Sequence, residues 1–281
     1  MTTKGENRVC AALLGVSLLS LVYGFRELIF VHAPVVFSDP LEDMSFGWYV
    51  PVFSAYVVWR ERREIVSSLG EPSLAGLAAT FAALFVGFLG VRGVQIRLEI
   101  AAFAALCATI PWAVYGRRTA ARLAFPAAFL LFCIPLATFL DVVTVHLRLI
   151  ASAIAAAILD GVGADVLRVG TTITAPGGFA IDVASPCAGL RSIFALLALA
   201  AGYGYFTLDG WWRRAALFAL AVPIAIVGNI VRVLLICAVG LWCSPEFATG
   251  FYHDYSGYVV FIVAIAMMVG CAELLRGRGA K

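Results

Sequence analysis

Charge is what this chain has least of: Asp, Glu, Lys and Arg supply 13% of its 281 residues, apolar residues supply 63%, and the formal net charge is only +3. So weak a charge balance excludes a basic nucleic-acid-binding surface, and a mean hydropathy of +0.98 excludes a soluble core as the place where most of the chain is buried. Histidine occurs three times and cysteine seven times, without a CxxC pair and without His/Cys ligand spacing. That pattern supports neither a zinc site nor a disulfide framework, and no cofactor is called for. Internal repeats and low-complexity segments are also missing, so the chain reads as one integral-membrane domain over residues 1–281. The first apolar run, about 9 to 31, has no clean small-x-small cleavage site and reads as a retained span rather than a signal peptide.

Long apolar runs are what the chain does have. A bilayer core of about 30 Å needs roughly 20 apolar residues in helix, and by that measure eight spans can be drawn. Their limits are 9 to 31, 44 to 59, 73 to 91, 98 to 115, 121 to 140, 187 to 207, 215 to 241 and 255 to 275. The expected fold class is an all-α polytopic membrane protein. The run 142 to 159 carries Thr144, Arg148 and Ser152 as a thin polar stripe at helical spacing, and is expected to lie in the interface. Orientation supports that choice. With this helix on the outer surface, Lys4, Arg8 and the basic clusters at 60–63, 117–122, 213–214 and 276–281 all face the cytoplasm, in keeping with the positive-inside tendency. Were it to cross, the last two clusters would move outside. Between 160 and 186 the pattern changes to short alternating runs, 165 to 174 and 179 to 184, separated by Ala175-Pro176-Gly177-Gly178. This predicts a small extracytoplasmic β-hairpin, either a structural cap or an edge for an extended peptide.

Three polar groups fall at one level near the outer face. Cys187 and Arg191 open the sixth span, and at i and i+4 they share a helix face. A neighbouring cation and a helix N-terminus both favour the thiolate. Asn229 and Arg232 lie in the seventh span, with Arg232 seventeen residues, or about 26 Å, beyond Ala215. His253 and Asp254 open the eighth. Each has a bland counterpart: an inert membrane cysteine, a structural ion pair, an incidental interfacial histidine such as His32 or His146. Convergence is what argues against those. A cysteine, a histidine and arginines are the components of a Cys-His acyl-transfer site, with Cys187 as nucleophile, His253 as general acid and base, and Arg232 as oxyanion stabiliser. Arg191 would share that role or tune the thiol, and Asp254 and Asn229 both qualify to orient the histidine.

The same residues resemble the exosortase/archaeosortase family of integral-membrane cysteine transpeptidases. That family carries Cys-x-Gly-x-Arg, Asn-x-x-Arg and His-x-x-x-Gly on successive late spans, matched here by Cys187 to Arg191, Asn229 to Arg232 and His253 to Gly257. The resemblance includes the stretch Phe125 to Pro135 and the hairpin before the cysteine, and covers a catalytic core of about 120–275. Met44 to Pro51 resembles a family segment that usually reads Tyr-Ser-His-Gly before Pro, with Phe46 where the histidine stands; Pro186 and Ala188 replace the commoner Ala and Ser. The chain is identified as a divergent member. The resemblance implies a protease/transpeptidase in the cytoplasmic (inner) membrane with its active site on the extracytoplasmic side. Its implied partners are secreted proteins bearing a C-terminal sorting signal of the PEP-CTERM type: a short motif, a transmembrane helix and a basic tail. The tail is released and the new carboxyl terminus passes to an acceptor, a lipid or glycan among the candidates. Three readings compete: a transporter or channel using the buried arginines, a thiol-redox protein using Cys243 as second thiol, and a structural assembly factor.

Overall fold

The computed structural model describes residues 15–16, 19–39, 44–136, 140–176, 179–182 and 190–277, apart from the side chains of Asp141, His253 and Asp254. It divides into two compact units, residues 1–136 and 137–281. The chain is all-α and polytopic, with six helices among the described residues long and apolar enough to cross a membrane.

In the first unit a short helix α1 (Ala33–Ser38) precedes α2 (Tyr49–Arg60) and α3 (Arg62–Ser67), and the unit is completed by the long helices α4 (Leu74–Arg92) and α5 (Ile96–Phe129). Ser73 caps α4 by accepting from the Gly76 amide at 3.3 Å. The helix then runs antiparallel to the first limb of α5. Gly76 lies against the Trp112–Ala113 backbone, Gly87 against Ala102 and Gly90 against Glu99, so the missing Cβ atoms let two apolar helices touch main chain to main chain. Gly116 interrupts α5 with φ 82 and ψ 178, a conformation open to glycine, so α5 is two helical limbs that meet where the expected fourth span ends at 115. The Ser54 hydroxyl donates to the Pro126 carbonyl and ties α2 to the second limb.

The second unit contains α6 (Asp141–Gly161), a three-stranded sheet, and the helices α7 (Leu190–Thr207), α8 (Trp211–Trp242) and α9 (His253–Arg276). The strands are β1 (Leu167–Val169), β2 (Thr172–Ala175) and β3 (Phe179–Asp182), paired antiparallel in that order. The expected hairpin is therefore a three-stranded meander. Its first arm is broken at Gly170-Thr171, where Val169 pairs with Thr172 across two residues and Gly170 takes φ 64, the geometry of a tight hairpin turn. Alternation places Ile173, Phe179 and Ile181 inward, where they meet Ala155 and Leu159 of α6 and Val233, Ile236 and Cys237 of α8.

Several expectations about the spans change. Of the first expected span, residues 15–16 and 19–31 are described and are helical but for a turn at Phe25, and the second is α2, whose 12 residues extend only about 18 Å. The helix expected at the interface meets the same length and hydropathy requirement as the other spans. Along its stripe Ser152 is fully buried, with the Leu149 and Gly170 carbonyls 3.1 and 3.3 Å from its hydroxyl, and Thr144 and Arg148 are half-buried, while Ile150, Ile154 and Ile158 are exposed.

Candidate active site

The carrying helices of the second unit are held together by an apolar cluster of small and branched residues. Leu196 and Ala200 of α7, Leu217, Ala221 and Ala225 of α8, and Ala264, Met268 and Ala272 of α9 pack with Leu208 from the α7–α8 turn. That turn is fixed by Arg214, whose Nε donates to the Leu208 carbonyl at 2.9 Å and whose guanidinium lies over the Tyr205 ring. Five alanines, Ala200, Ala221, Ala225, Ala264 and Ala272, lie in this cluster, and small residues at such seams let helices approach closely.

Beyond the cluster the three helices part to form a small cleft of about 20 Å³, room for about one water. Ser192 and Leu196 contribute from α7; Ala225, Gly228, Asn229 and Arg232 from α8; Gly257, Val260, Phe261 and Ala264 from α9. Its polar groups cluster at one end. Asn229 is buried and also borders a smaller cavity toward α6, lined by Leu147, Ala151 and Ile193. Arg232 is half-buried and donates from Nε to the Ser256 hydroxyl at 3.4 Å; Ser256 itself is 5% exposed. A Cβ on Gly257 would lie 3.3 Å from Cζ of Arg232, so the glycine leaves the space the guanidinium occupies. Gly228 plays a smaller version of this part, since a Cβ there would meet Val260 at 3.3 Å. Helix α8 runs from Trp211 to Trp242 with Pro223 inside it, and Ala225 and Gly228 line the cleft.

Of the residues singled out in the sequence, the structure brings Asn229 and Arg232 together with the motif glycine Gly257. Arg191 is exposed and does not border this cleft; its neighbour Ser192 does. Cys187, with Pro186 and Ala188, lies outside the described residues. His253 and Asp254 begin α9, their side chains likewise outside the description. Among the described residues no group of His, Cys, Asp and Glu is arranged to hold a metal. Cys243, the second thiol of the redox reading, is exposed just past the end of α8. Sequence reasoning gave Ser256 no role. The available signal was its place beside the motif glycine, on the helix turn that begins with His253.

Comparison with known families matches residues 39–270, well over half of the chain, to the family described as transmembrane exosortase. No curated protein and no solved structure matches the chain.

Proposed function

We propose a cysteine transpeptidase activity for this chain, which belongs to the transmembrane exosortase family. Membership of that family suggests a membrane transpeptidase acting on secreted proteins in a lipid bilayer. The finer reading is a site at the outer face of the cytoplasmic membrane that cleaves a C-terminal sorting signal. The observation that carries it is the meeting of Asn229, Arg232 and Gly257, from two of the three motifs, in one cleft bordered by Ser192 of the third carrying helix.

The chemistry follows from the residue types. The Cys187 thiolate attacks the scissile carbonyl carbon, and the negative charge that develops on the carbonyl oxygen is met by the Arg232 guanidinium. As the C–N bond breaks, His253 gives its proton to the departing amine, which leaves with the transmembrane helix and basic tail. A thioester joins substrate and enzyme. His253, now neutral, takes a proton from the acceptor nucleophile as it attacks the thioester, and Cys187 departs as thiolate. Arg191, one helical turn from Cys187 in sequence, favours the thiolate, and Asn229 or Asp254 orients the imidazole. A substrate whose own helix lies in the membrane presents its motif at this level without leaving the bilayer.

The test is co-expression with a tagged secreted protein that carries such a tail signal, comparing wild type with Cys187→Ala. Tail removal by wild type and none by the variant is the expected result. Mass analysis of the new terminus then separates transfer, which adds the acceptor, from hydrolysis, which adds water. Equal cleavage by both proteins would overturn the assignment of the nucleophile.

A further inference from the structure

An arginine stabilises a developing oxyanion only if its donors are already aimed, because reorganising a long flexible side chain during the reaction consumes the gain. Arg232 has a three-carbon stem in a half-buried position, so something must set the plane of its guanidinium. Two neighbours on α9 do so. Ser256 accepts from Nε, the donor nearest the stem, at 3.4 Å, and this bond restrains the rotation of the group. Gly257 underlies the flat face: the position a Cβ would take is 3.3 Å from Cζ, 3.4 Å from Nη2 and 3.5 Å from Nε. Because the central carbon is the nearest of the three, the glycine lies beneath the plane rather than at its edge. The hydroxyl at one edge and the bare backbone below form a seat shaped for a guanidinium. A lysine ammonium, with no planar face and no Nε, fits neither element.

We infer that Ser256 is a positioning residue for the transpeptidase reaction, acting through Arg232. This inference rests on the reading of Arg232 as the oxyanion group. It assigns Ser256 no contact with the substrate: the residue is 5% exposed and its hydroxyl accepts from the arginine instead.

The experiment measures tail removal from the tagged substrate by detergent-solubilised enzyme over a range of substrate concentrations. It compares wild type, Ser256→Ala, Ser256→Thr, Arg232→Lys and the double variant Ser256→Ala/Arg232→Lys, with thermal midpoints for each. Ser256→Ala should lower kcat about tenfold, the scale of one hydrogen bond to a charged group, at unchanged KM. Ser256→Thr, which keeps a hydroxyl, should recover most of the rate. In the Arg232→Lys background, Ser256→Ala should cost nothing further, since the Nε partner is already gone. An equal loss from Ser256→Ala in both backgrounds, or a loss matched by a lowered thermal midpoint, assigns the serine a merely structural part and overturns the inference. If Arg232→Lys is impaired while Ser256→Ala is not, the positioning role falls and the arginine reading stands. If Arg232→Lys works at the wild-type rate, both fall together.

Discussion

Glycine does two different things in the two units. Along the α4–α5 seam of the first, Gly76 and Gly90 remove a Cβ so that backbone meets backbone: an added methyl at Gly76 would lie 2.5 Å from the Ala113 nitrogen and 2.6 Å from the Trp112 carbonyl carbon. Along the α8–α9 seam of the second, Gly257 removes a Cβ so that a charged side chain fits between helices. The first use makes a contact and closes space. The second keeps space open inside a close-packed membrane bundle, and the polar end of the cleft is the result. The two seams look alike in sequence, each a small residue in an apolar run, and differ only in what lies opposite.

Substitutions can break that comparison. The largest effect is expected from Gly76→Ala, where rigid backbone cannot yield: stability should fall by about 3 kcal/mol, read as a lowered thermal midpoint in detergent, with activity per folded molecule retained. Gly257→Ala should show the reverse. The guanidinium at the end of a flexible stem can swing aside, so the midpoint should stay near wild type while tail removal drops roughly tenfold to a hundredfold through misplacement of Arg232. Gly228→Ala, opposite the movable Val260 side chain, should cost only about 1 kcal/mol of stability and leave the cleft working. The smallest effect belongs to Gly270→Ala. Nothing lies within 4 Å of its added methyl, and the better helix propensity should raise stability by about 0.5 kcal/mol. If Gly76→Ala and Gly257→Ala proved indistinguishable in midpoint and in activity per molecule, the distinction between the seams would be lost.

Much of this arrangement was legible in the chain, and the exceptions have physical causes. The helix spacing of Asn229 and Arg232 required one inward face, and both residues line one cleft. Long apolar runs marked the major helices because hydrophobic length is a strong signal in membrane proteins. Periodicity is weaker over short segments, so the strand pair β1–β2 read as a single arm: the tight turn at Gly170 occupies two residues inside an otherwise alternating run. The stripe of α6 was visible as a stripe, but hydropathy carries no information on whether a polar face meets water or protein. Here Ser152 finds a backbone carbonyl in the sheet turn. Ser256 was missed for a related reason, since a lone hydroxyl in a helix has no pattern and gains meaning only once Arg232 is seen opposite. The break at Gly116 falls where the fourth expected span ends at 115.

Helix α9 carries the arginine seat, and it is the least embedded of the long helices: 17% of its apolar stretch is buried, against 39% for α8. Lipid satisfies its outer side chains and its own hydrogen bonds satisfy its backbone, so it remains helical. Toward the protein, Ala264, Met268 and Ala272 pack it against α7 and α8, and a tilt of α9 moves against that packing. Because Ser256 and Gly257 travel with α9 while Arg232 belongs to α8, such a tilt seats or unseats the guanidinium as it narrows or widens the cleft. On the proposed function, narrowing the cleft and seating Arg232 would be a single movement of α9.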